Sequence, residues 1–282
     1  MKRCLVTGAN GYIGRHVVNS LLKYGVEVIA CDLNLEGVDP RAKRTQVQIF
    51  SDAPDLYQQL ASPDVLVHMA WMDGFVHNSP KHMNQLSDHM RFLSRMVEGG
   101  LKRISVMGTM HEIGYWEGAI QADTPCNPQS QYGVAKNAMR QSLMLSLPQE
   151  DVSLRWLRAY YIVGDDERGS NIFSKIMRAA QEGKTTFPFT SGKNLYDFIN
   201  IDDLADMIAV CSLQDDVDGV INVCNGEPES LSSRVERFIQ DHGFSIKLEY
   251  GAFPDRPYDS PGVWGDATQI REIMRNWEKH HT

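Results

Sequence analysis

The hydrophobic positions of the chain fall into short apolar runs, which alternate with longer segments whose apolar residues recur at helical spacing. The apolar runs predict strands at 4–7, 26–31, 47–50, 64–70, 103–107 and 152–161. Helical spacing predicts a helix that carries Val17 to Leu22, and further helices at 55–60, 80–97 and 130–147. Alternating strands and helices form a parallel sheet covered on both faces, which binds ligands at the carboxyl ends of its strands.

The pattern changes after Gly164. Helices are predicted at 171–182, 202–213, 231–241 and 266–276, with short strands between them at 195–201, 220–224 and 246–250. This half of the chain is typical of a smaller α+β lobe that shares some elements with the main sheet. No repeat or low-complexity linker separates the two parts, so we expect them to be packed against each other.

Three glycines follow the first predicted strand directly, as Gly8-x-x-Gly11-x-x-Gly14. Gly8 allows a sharp turn, Gly11 lets the backbone approach a pyrophosphate at the helix N-terminus, and Gly14 allows close helix–strand packing. Asp32 ends the second strand, where a carboxylate accepts hydrogen bonds from ribose hydroxyls and repels a 2′-phosphate. The alternative is a plain turn that uses glycine for packing. However, the strand, the helix and the acidic residue all lie at the sequence positions expected for a dinucleotide-binding site.

The predicted fold class is therefore α/β, a Rossmann doubly wound parallel sheet with a smaller α+β C-terminal substrate lobe. We assign 1–165 and about 195–225 to the NAD(P)-binding domain, and about 166–194 and 226–282 to the substrate-binding lobe. NAD(H) is the preferred cofactor. NADP(H) is the alternative, because Arg41, Lys43 and Arg44 follow Asp32 closely.

Composition narrows the function classes. The chain has 282 residues, 42% hydrophobic and 23% charged, as in an ordinary globular protein. A net charge of −8 without a basic block argues against a nucleic-acid partner. Five scattered cysteines without a C-x-x-C motif indicate reduced thiols and a cytoplasmic protein. We expect neither a signal peptide nor a membrane span, because the first strand begins almost at Met1 and no apolar run could cross a bilayer.

Tyr132 and Lys136 lie four residues apart on one predicted helix, so that their side chains share a face. A phenol exchanges protons poorly at neutral pH, but a neighbouring ammonium stabilises the phenolate and lowers the pKa of the phenol. The pair then suits proton exchange at an alcohol or a ketone. The spacing is common on solvated helix faces, and it is the position after the glycine-rich site and the fifth predicted strand that favours the catalytic interpretation.

These motifs and others farther along resemble the extended short-chain dehydrogenase/reductases, in the group of nucleotide-sugar epimerases and dehydratases. The matching positions cover nearly the whole chain: Gly8, Gly11, Gly14, Asp32, Asp52, His68 to Ala70, Tyr132, Lys136, Arg158, Asp197 to Asp203, Asn222, Val223, Arg256 and Pro257. The resemblance implies that Asp52 contacts the adenine and that Lys136 binds the nicotinamide-ribose hydroxyls. It also implies a homodimer that pairs through the helix predicted at 80–97.

The resemblance places a third catalytic residue, Ser or Thr, five residues before a glycine. Thr109, before Gly114, fits this position, and its hydroxyl can hold the substrate oxygen as charge develops there. Ser105 is the second choice, but it lies inside the strand. A threonine that only caps a strand end is the structural alternative.

Departures from the family pattern narrow the reaction. Met110-His111 replaces the Asp-Glu pair that follows the catalytic Thr of the 4,6-dehydratases, which disfavours a dehydratase. Tyr161 and Tyr196 replace an Asn and an Arg that touch the substrate in UDP-hexose epimerases. Arg256 remains as a clamp for the diphosphate, because a guanidinium matches phosphate bidentately; an exposed loop arginine is the alternative.

We therefore predict an oxidoreductase that reduces the 4-keto group of a nucleotide-linked 6-deoxysugar, with dTDP as the expected nucleotide; 108–115 also resembles deoxyhexose 4-keto reductases. The alternatives are a nucleotide-sugar 4-epimerase and a non-catalytic dinucleotide-binding protein. The predicted catalytic residues are Thr109, Tyr132 and Lys136. The predicted cofactor-binding residues are Gly8, Asn10, Gly11, Tyr12, Ile13, Gly14, Asp32, Asp52, Ala53, Met69, Ala70, Lys136 and Tyr161. The predicted substrate-binding residues are Trp71, Thr109, Met110, Tyr132, Tyr161, Asn171, Tyr196 and Arg256.

Other residues receive a structural interpretation. His77, His82 and His89 lack a cysteine or carboxylate cluster, so we interpret them as a solvated surface and expect no metal. Apolar residues at helical spacing in the same region are expected in the core: Met83, Leu86, Met90, Leu93 and Met96.

Overall fold

A computed structural model describes residues 2–147, 151–164, 171–255 and 259–281. The strands are β1 (Arg3–Thr7), β2 (Glu27–Cys31), β3 (Lys43–Thr45), β4 (Val65–His68), β5 (Arg103–Thr109), β6 (Gly118–Ile120), β7 (Ser153–Ala159), β8 (Tyr161–Val163), β9 (Thr186–Pro188), β10 (Leu195–Tyr196), β11 (Phe198–Asn200), β12 (Gly219–Val223), β13 (Glu229–Ser230), β14 (Lys247–Glu249) and β15 (Gly262–Gly265). The helices are α1 (Gly14–Lys23), α2 (Leu56–Gln59), α3 (Lys81–Asn84), α4 (Leu86–Glu98), α5 (Gln131–Ser146), α6 (Ile172–Gln181), α7 (Ile201–Leu213), α8 (Leu231–Asp241) and α9 (Thr268–His281), and a 3-10 helix spans Met110–Glu112.

Seven strands form one parallel sheet in the order β12-β7-β5-β4-β1-β2-β3. Successive side chains of β1 enter different hydrophobic clusters: Cys4 and Val6 pack on one face, and Leu5 packs on the other. Helices α1, α7 and α9 cover the first face, and α4 and α5 cover the second. The predicted doubly wound α/β fold is confirmed.

Smaller sheets lie beside the main one. Four strands pair in the order β13-β10-β15-β6, and two further pairs are β8–β11 and β9–β14. A third hydrophobic cluster joins α6 and α8 through Phe173, Ile176, Val235 and Phe238. Strands β10 and β11 belong to these small sheets, so the part of the predicted nucleotide-binding domain around 195–200 lies outside the main sheet. Within the described residues, no helix is long and apolar enough to cross a membrane.

Two sequence predictions in the first half were wrong. The strand expected at 47–50 is irregular chain, and the edge strand is β3, whose polar Lys-Arg-Thr sequence gives no apolar signal. Val47 and Ile49 still pack against the core from outside the sheet. The single helix expected at 80–97 is divided at Gln85 into α3 and α4.

Candidate active site

The glycine-rich turn has the geometry that its sequence predicts. Gly8 has φ +70°, and a Cβ there would lie 2.7 Å from the backbone nitrogen of Ala70. A Cβ on Gly14 would lie 2.0 Å from the carbonyl oxygen of Gly8. Side chains at either position would therefore prevent β1, α1 and the end of β4 from closing together. The turn leaves bare backbone at the start of α1, which fits the pyrophosphate of a dinucleotide.

Asp32, directly after β2, is held at the edge of this turn. Its carboxylate accepts hydrogen bonds from the backbone N–H of Asn10 at 2.9 Å and of Leu33 at 2.7 Å. Arg41 is paired with Asp39, and Arg44 donates to the carbonyl of Val38. These two arginines, which could have favoured NADP, thus have partners of their own.

The other predicted cofactor residues surround the same edge of the sheet. Met69 and Ala70 follow β4, and their backbone N–H groups lie 3.3 and 3.4 Å from the hydroxyl of Thr7. Asp52, next to Ala53, has a largely exposed side chain and forms a 2.7 Å ion pair with Arg95. Its contact with an adenine stays a prediction.

The three predicted catalytic residues meet beside the end of β5. Thr109 is the last residue of β5, and its hydroxyl lies close enough to the phenol of Tyr132 to act on the pKa of that phenol. Ser130 caps α5 by accepting from the N–H of Gly133, so Tyr132 lies in the first turn. A Cβ on Gly133 would lie 2.3 Å from the carbonyl oxygen of His111, and glycine therefore lets α5 approach the strand end.

The electrostatics of this cluster differ from the simple expectation for the tyrosine. Burial, followed by the charge of Glu112, raises the pKa of Tyr132, and the hydrogen bond with Thr109 only partly offsets this. Burial lowers the pKa of Lys136 to about 7, against an opposing contribution from Glu112. Lys136 Nζ donates to the carbonyl of Met107 at 2.7 Å. The arrangement therefore keeps Tyr132 protonated, as a proton donor requires.

Glu112 is a functional candidate that sequence reasoning missed. Its fully buried carboxylate accepts from the N–H of Thr109 at 2.8 Å and from Trp156 Nε1 at 2.9 Å. Arg140 and Arg158 approach the same carboxylate at 3.6 and 3.7 Å. Thr109 and Glu112 form a capping box around the 3-10 helix, and this Thr-x-x-Glu spacing was the signal available in the sequence.

The prediction of a solvated histidine surface was wrong for His82 and His89. Each is 2% exposed. His89 Nδ1 lies 2.9 Å from His68 Nε2, and His82 Nδ1 accepts from Trp71 Nε1 at 3.0 Å. The two side chains turn inward because α3 and α4 pack beside α5, so that they meet aromatic and basic side chains of the site.

His77 is exposed, as expected, although its ring lies 4.4 Å from the ring of His111 and both are next to the ring of Tyr132. Met83 is 41% exposed. It therefore lies outside the core in which it was expected, whereas Leu93 and Met96 are fully buried and Leu86 and Met90 pack against them.

The predicted substrate residues occupy several different places in the fold. The rings of Tyr161 and Tyr196 lie with centroids 4.3 Å apart and planes 33° from parallel. Asn171 uses its side chain to cap α6, accepting from the N–H of Ser174. Met110 is buried in the main core. Arg256 lies outside the described residues. Tyr161 and Tyr196 thus lie side by side, and their contact with a substrate stays a prediction.

Comparison with known proteins identifies the family. The NAD dependent epimerase/dehydratase family matches residues 4–224. The chain belongs to this family. The predictions of the family, of an enzyme and of NAD as the cofactor are confirmed, and the predicted likeness to extended short-chain dehydrogenase/reductases holds over most of the chain.

Individual relatives refine the likeness. The dTDP-6-deoxy-L-talose 4-dehydrogenase (NAD(+)) of Aggregatibacter actinomycetemcomitans is 44% identical, over 93% of this chain and 98% of its own. The UDP-glucose 4-epimerase of Lactobacillus helveticus is 24% identical, over 99% of this chain and 92% of its own. A Stenotrophomonas maltophila UDP-glucose 4-epimerase structure with NAD and a formylated UDP-arabinopyranose shares the fold, with TM-score 0.84 at 19% identity, covering 97% of this chain and 93% of that one.

Proposed function

We propose that the protein reduces the 4-keto group of a dTDP-linked 6-deoxyhexose with NADH. The observation that carries the proposal is the juxtaposition of the Thr109 hydroxyl and the Tyr132 phenol at the carboxyl end of β5. A protonated phenol beside a hydroxyl is suited to receive a ketone oxygen and to protonate it. The 44% identical dTDP-6-deoxy-L-talose 4-dehydrogenase supports the choice of nucleotide and sugar class.

Each residue has a defined task in this reaction. When bound, the reduced nicotinamide supplies the hydride that goes to C4 of the sugar. Tyr132 gives its phenolic proton to O4, so that the ketone becomes an alcohol, and Thr109 hydrogen-bonds that oxygen while negative charge develops. Lys136 holds the nicotinamide ribose and favours the phenolate that remains. Asp32 and the turn at Gly8 to Gly14 bind the adenosine and pyrophosphate.

The substrate side of the site is proposed from its aromatic character. The adjacent rings of Tyr161 and Tyr196 offer an apolar wall to a ring that lacks the 6-hydroxyl group. Met110 and Asn171 are also proposed to line the sugar site, and Arg256 is proposed to clamp the diphosphate.

Stoichiometry tests the reaction type. The purified protein is mixed with NADH and a dTDP-4-keto-6-deoxyhexose, and nicotinamide absorbance and product are followed together. We expect one NADH consumed for each 4-hydroxy product. A 4-epimerase would instead interconvert two sugar nucleotides without net change in absorbance, and a binding protein would show affinity for NADH without either product. Either outcome would contradict the proposal.

Assembly and location complete the proposal. We propose a homodimer that pairs through α4 and α5, supported by exposed Val134 and Leu145, which lie 11 residues apart on one face of α5. A cytoplasmic location is supported by the five free cysteines, four of them buried. Light scattering of the wild type and of Leu145→Lys tests the dimer, because a charge on this face should yield monomers.

We retain the division into a nucleotide-binding domain and a substrate lobe as part of the same proposal.

A further inference from the structure

The side chain of Trp71 lies against the ammonium of Lys136. Nζ is 3.9 Å from the centroid of the indole ring, the geometry of a cation–π contact. Lys136 is 3% exposed, and Nζ also donates to the carbonyl of Met107 at 2.7 Å. Because a buried ammonium loses its hydration, an aromatic face together with a carbonyl supplies part of the stabilisation that water would give.

Two histidines fix the orientation of this indole. Trp71 stacks on the ring of His89, with centroids 4.6 Å apart and planes 16° from parallel. Its Nε1–H donates to His82 Nδ1 at 3.0 Å. His82 Nε2 therefore carries the proton of that ring, and it lies 3.0 Å from the carbonyl oxygen of Val76. The indole is thus held both at its face and at its edge.

We propose that Trp71 is a positioning residue that acts through Lys136, its indole face holding the ammonium beside Tyr132 in an orientation set by His82 and His89. The proposal rests on the function proposed for Tyr132 and Lys136. It gives Trp71 a different task from the substrate contact expected from the sequence. The rings of Trp71 and Tyr132, 6.2 Å apart and 69° from parallel, place the indole next to both catalytic side chains.

The groups around Lys136 make this role measurable. Glu112 faces it from the 3-10 helix, His68 from β4, His89 from α4, and Tyr132 from its own helix. Burial holds the pKa of His68 and His89 well below the usual range, so both imidazoles are neutral between pH 6 and 9. Replacing Trp71 by another apolar residue therefore changes the surroundings of the ammonium without changing the charge of the site.

The test measures the affinity for NADH, and kcat/KM, as functions of pH for Trp71→Leu and Trp71→Phe. Leucine keeps water away from Lys136 but removes the aromatic face. The pKa at which NADH affinity and kcat/KM fall on the alkaline side of their pH profiles should therefore drop by about 0.4–1.5 units, as expected for a lost cation–π contact. Phenylalanine keeps a ring and should restore part of the shift. It also keeps the test open where the leucine variant unfolds. Met72→Leu, on the neighbouring residue, is the matched control and should leave both profiles unchanged.

The outcomes separate this role from the proposed function. The proposal is supported if NADH affinity falls at alkaline pH, if Lys136→Met abolishes this fall and if Trp71→Leu shifts its pKa. This result supports the proposal even if the wild type does not reduce the sugar. A limb that Trp71→Leu leaves in place overturns it. An unchanged NADH profile with only a raised KM for the sugar also overturns it, and would return Trp71 to a substrate contact.

Discussion

The carboxylate of Glu112 accepts a hydrogen bond from the backbone N–H of Thr109 at 2.8 Å, and it does so with no solvent exposure. The same oxygen accepts from Trp156, whose ring lies so close to Gly108 that a Cβ there would be 2.2 Å from Nε1. The buried carboxylate of Glu112 therefore holds the backbone of Thr109, while the Thr109 hydroxyl lies next to Tyr132. These contacts fix the position of the Thr109 backbone, which suits a residue that must hold a reacting oxygen.

Glu112→Ala should lower the free energy of unfolding by about 3–5 kcal/mol, because it leaves the fully buried guanidinium of Arg158 and the partly buried one of Arg140 without their carboxylate. It should also lower kcat, since Thr109 loses its anchor. Urea unfolding and steady-state kinetics measure the two effects. Glu117→Ala, on an exposed residue of the following segment, is the control and should change neither. Wild-type stability in Glu112→Ala would show that the network contributes little.

The sequence predicted the geometry of the glycine-rich turn well because its requirements are local. Gly8, Gly14 and Asp32 are determined by one strand, one turn and one helix, whose order can be read directly from the chain. Their geometry follows from covalent constraints on a tight turn, so the prediction agrees with the structure. The same holds for the position of Thr109 at the end of β5.

The histidines were misinterpreted because their environment depends on packing between elements distant in the chain. His89 is polar by composition, yet it lies between Trp71 and Phe50 and pairs with His68. Helix periodicity alone cannot distinguish a polar residue facing water from one facing a buried partner. Asp197 shows the same effect, since its carboxylate accepts from three backbone N–H groups, those of Asn225, Gly226 and Gly265.

Tyr132→Phe should lower turnover by about 10²–10⁴-fold, the usual effect of losing a general acid, and leave NADH affinity nearly unchanged. Lys136→Met should lower both turnover and NADH affinity, because it removes the ammonium that is proposed to hold the nicotinamide ribose and to favour the Tyr132 phenolate. Tyr115→Phe removes the hydroxyl of an exposed tyrosine and serves as the control. NADH titration and single-turnover kinetics measure these effects. Full activity in Tyr132→Phe would mean that another group donates the proton.

NADH should bind more tightly than NADPH, because Asp32 repels a 2′-phosphate and Arg41 and Arg44 are already engaged. Asp32→Ala should reduce the ratio of the two affinities at least about tenfold, the effect of roughly 1.4 kcal/mol. Asp39→Ala frees Arg41 without touching the ribose site, so comparing the two variants shows which residue controls the choice. Tighter binding of NADPH by the wild type would contradict the assignment of Asp32.

Stability should fall on acidification below pH 6.5 because of the buried pair of His68 and His89. Burial lowers the pKa of His89 to about 3, and it holds that of His68 well below its usual value. The unfolded chain, in which histidine titrates near ~6.5, then binds more protons than the folded one between these values, so the free energy of unfolding rises with pH there. Each histidine contributes a slope of about 1.4 kcal/mol per pH unit.

Comparing slopes isolates this contribution from the carboxylates. His89→Gln keeps a hydrogen-bonding partner for His68 Nε2 but does not titrate, so its urea-unfolding free energy should fall less steeply between pH 6 and pH 5, by about 1.4 kcal/mol per pH unit. His280→Gln, at an exposed position in the last turns of α9, should keep the wild-type slope. Equal slopes in wild type and His89→Gln would mean that the imidazole pair takes up a proton without unfolding, and that it is less sealed from water than its 2.9 Å contact implies.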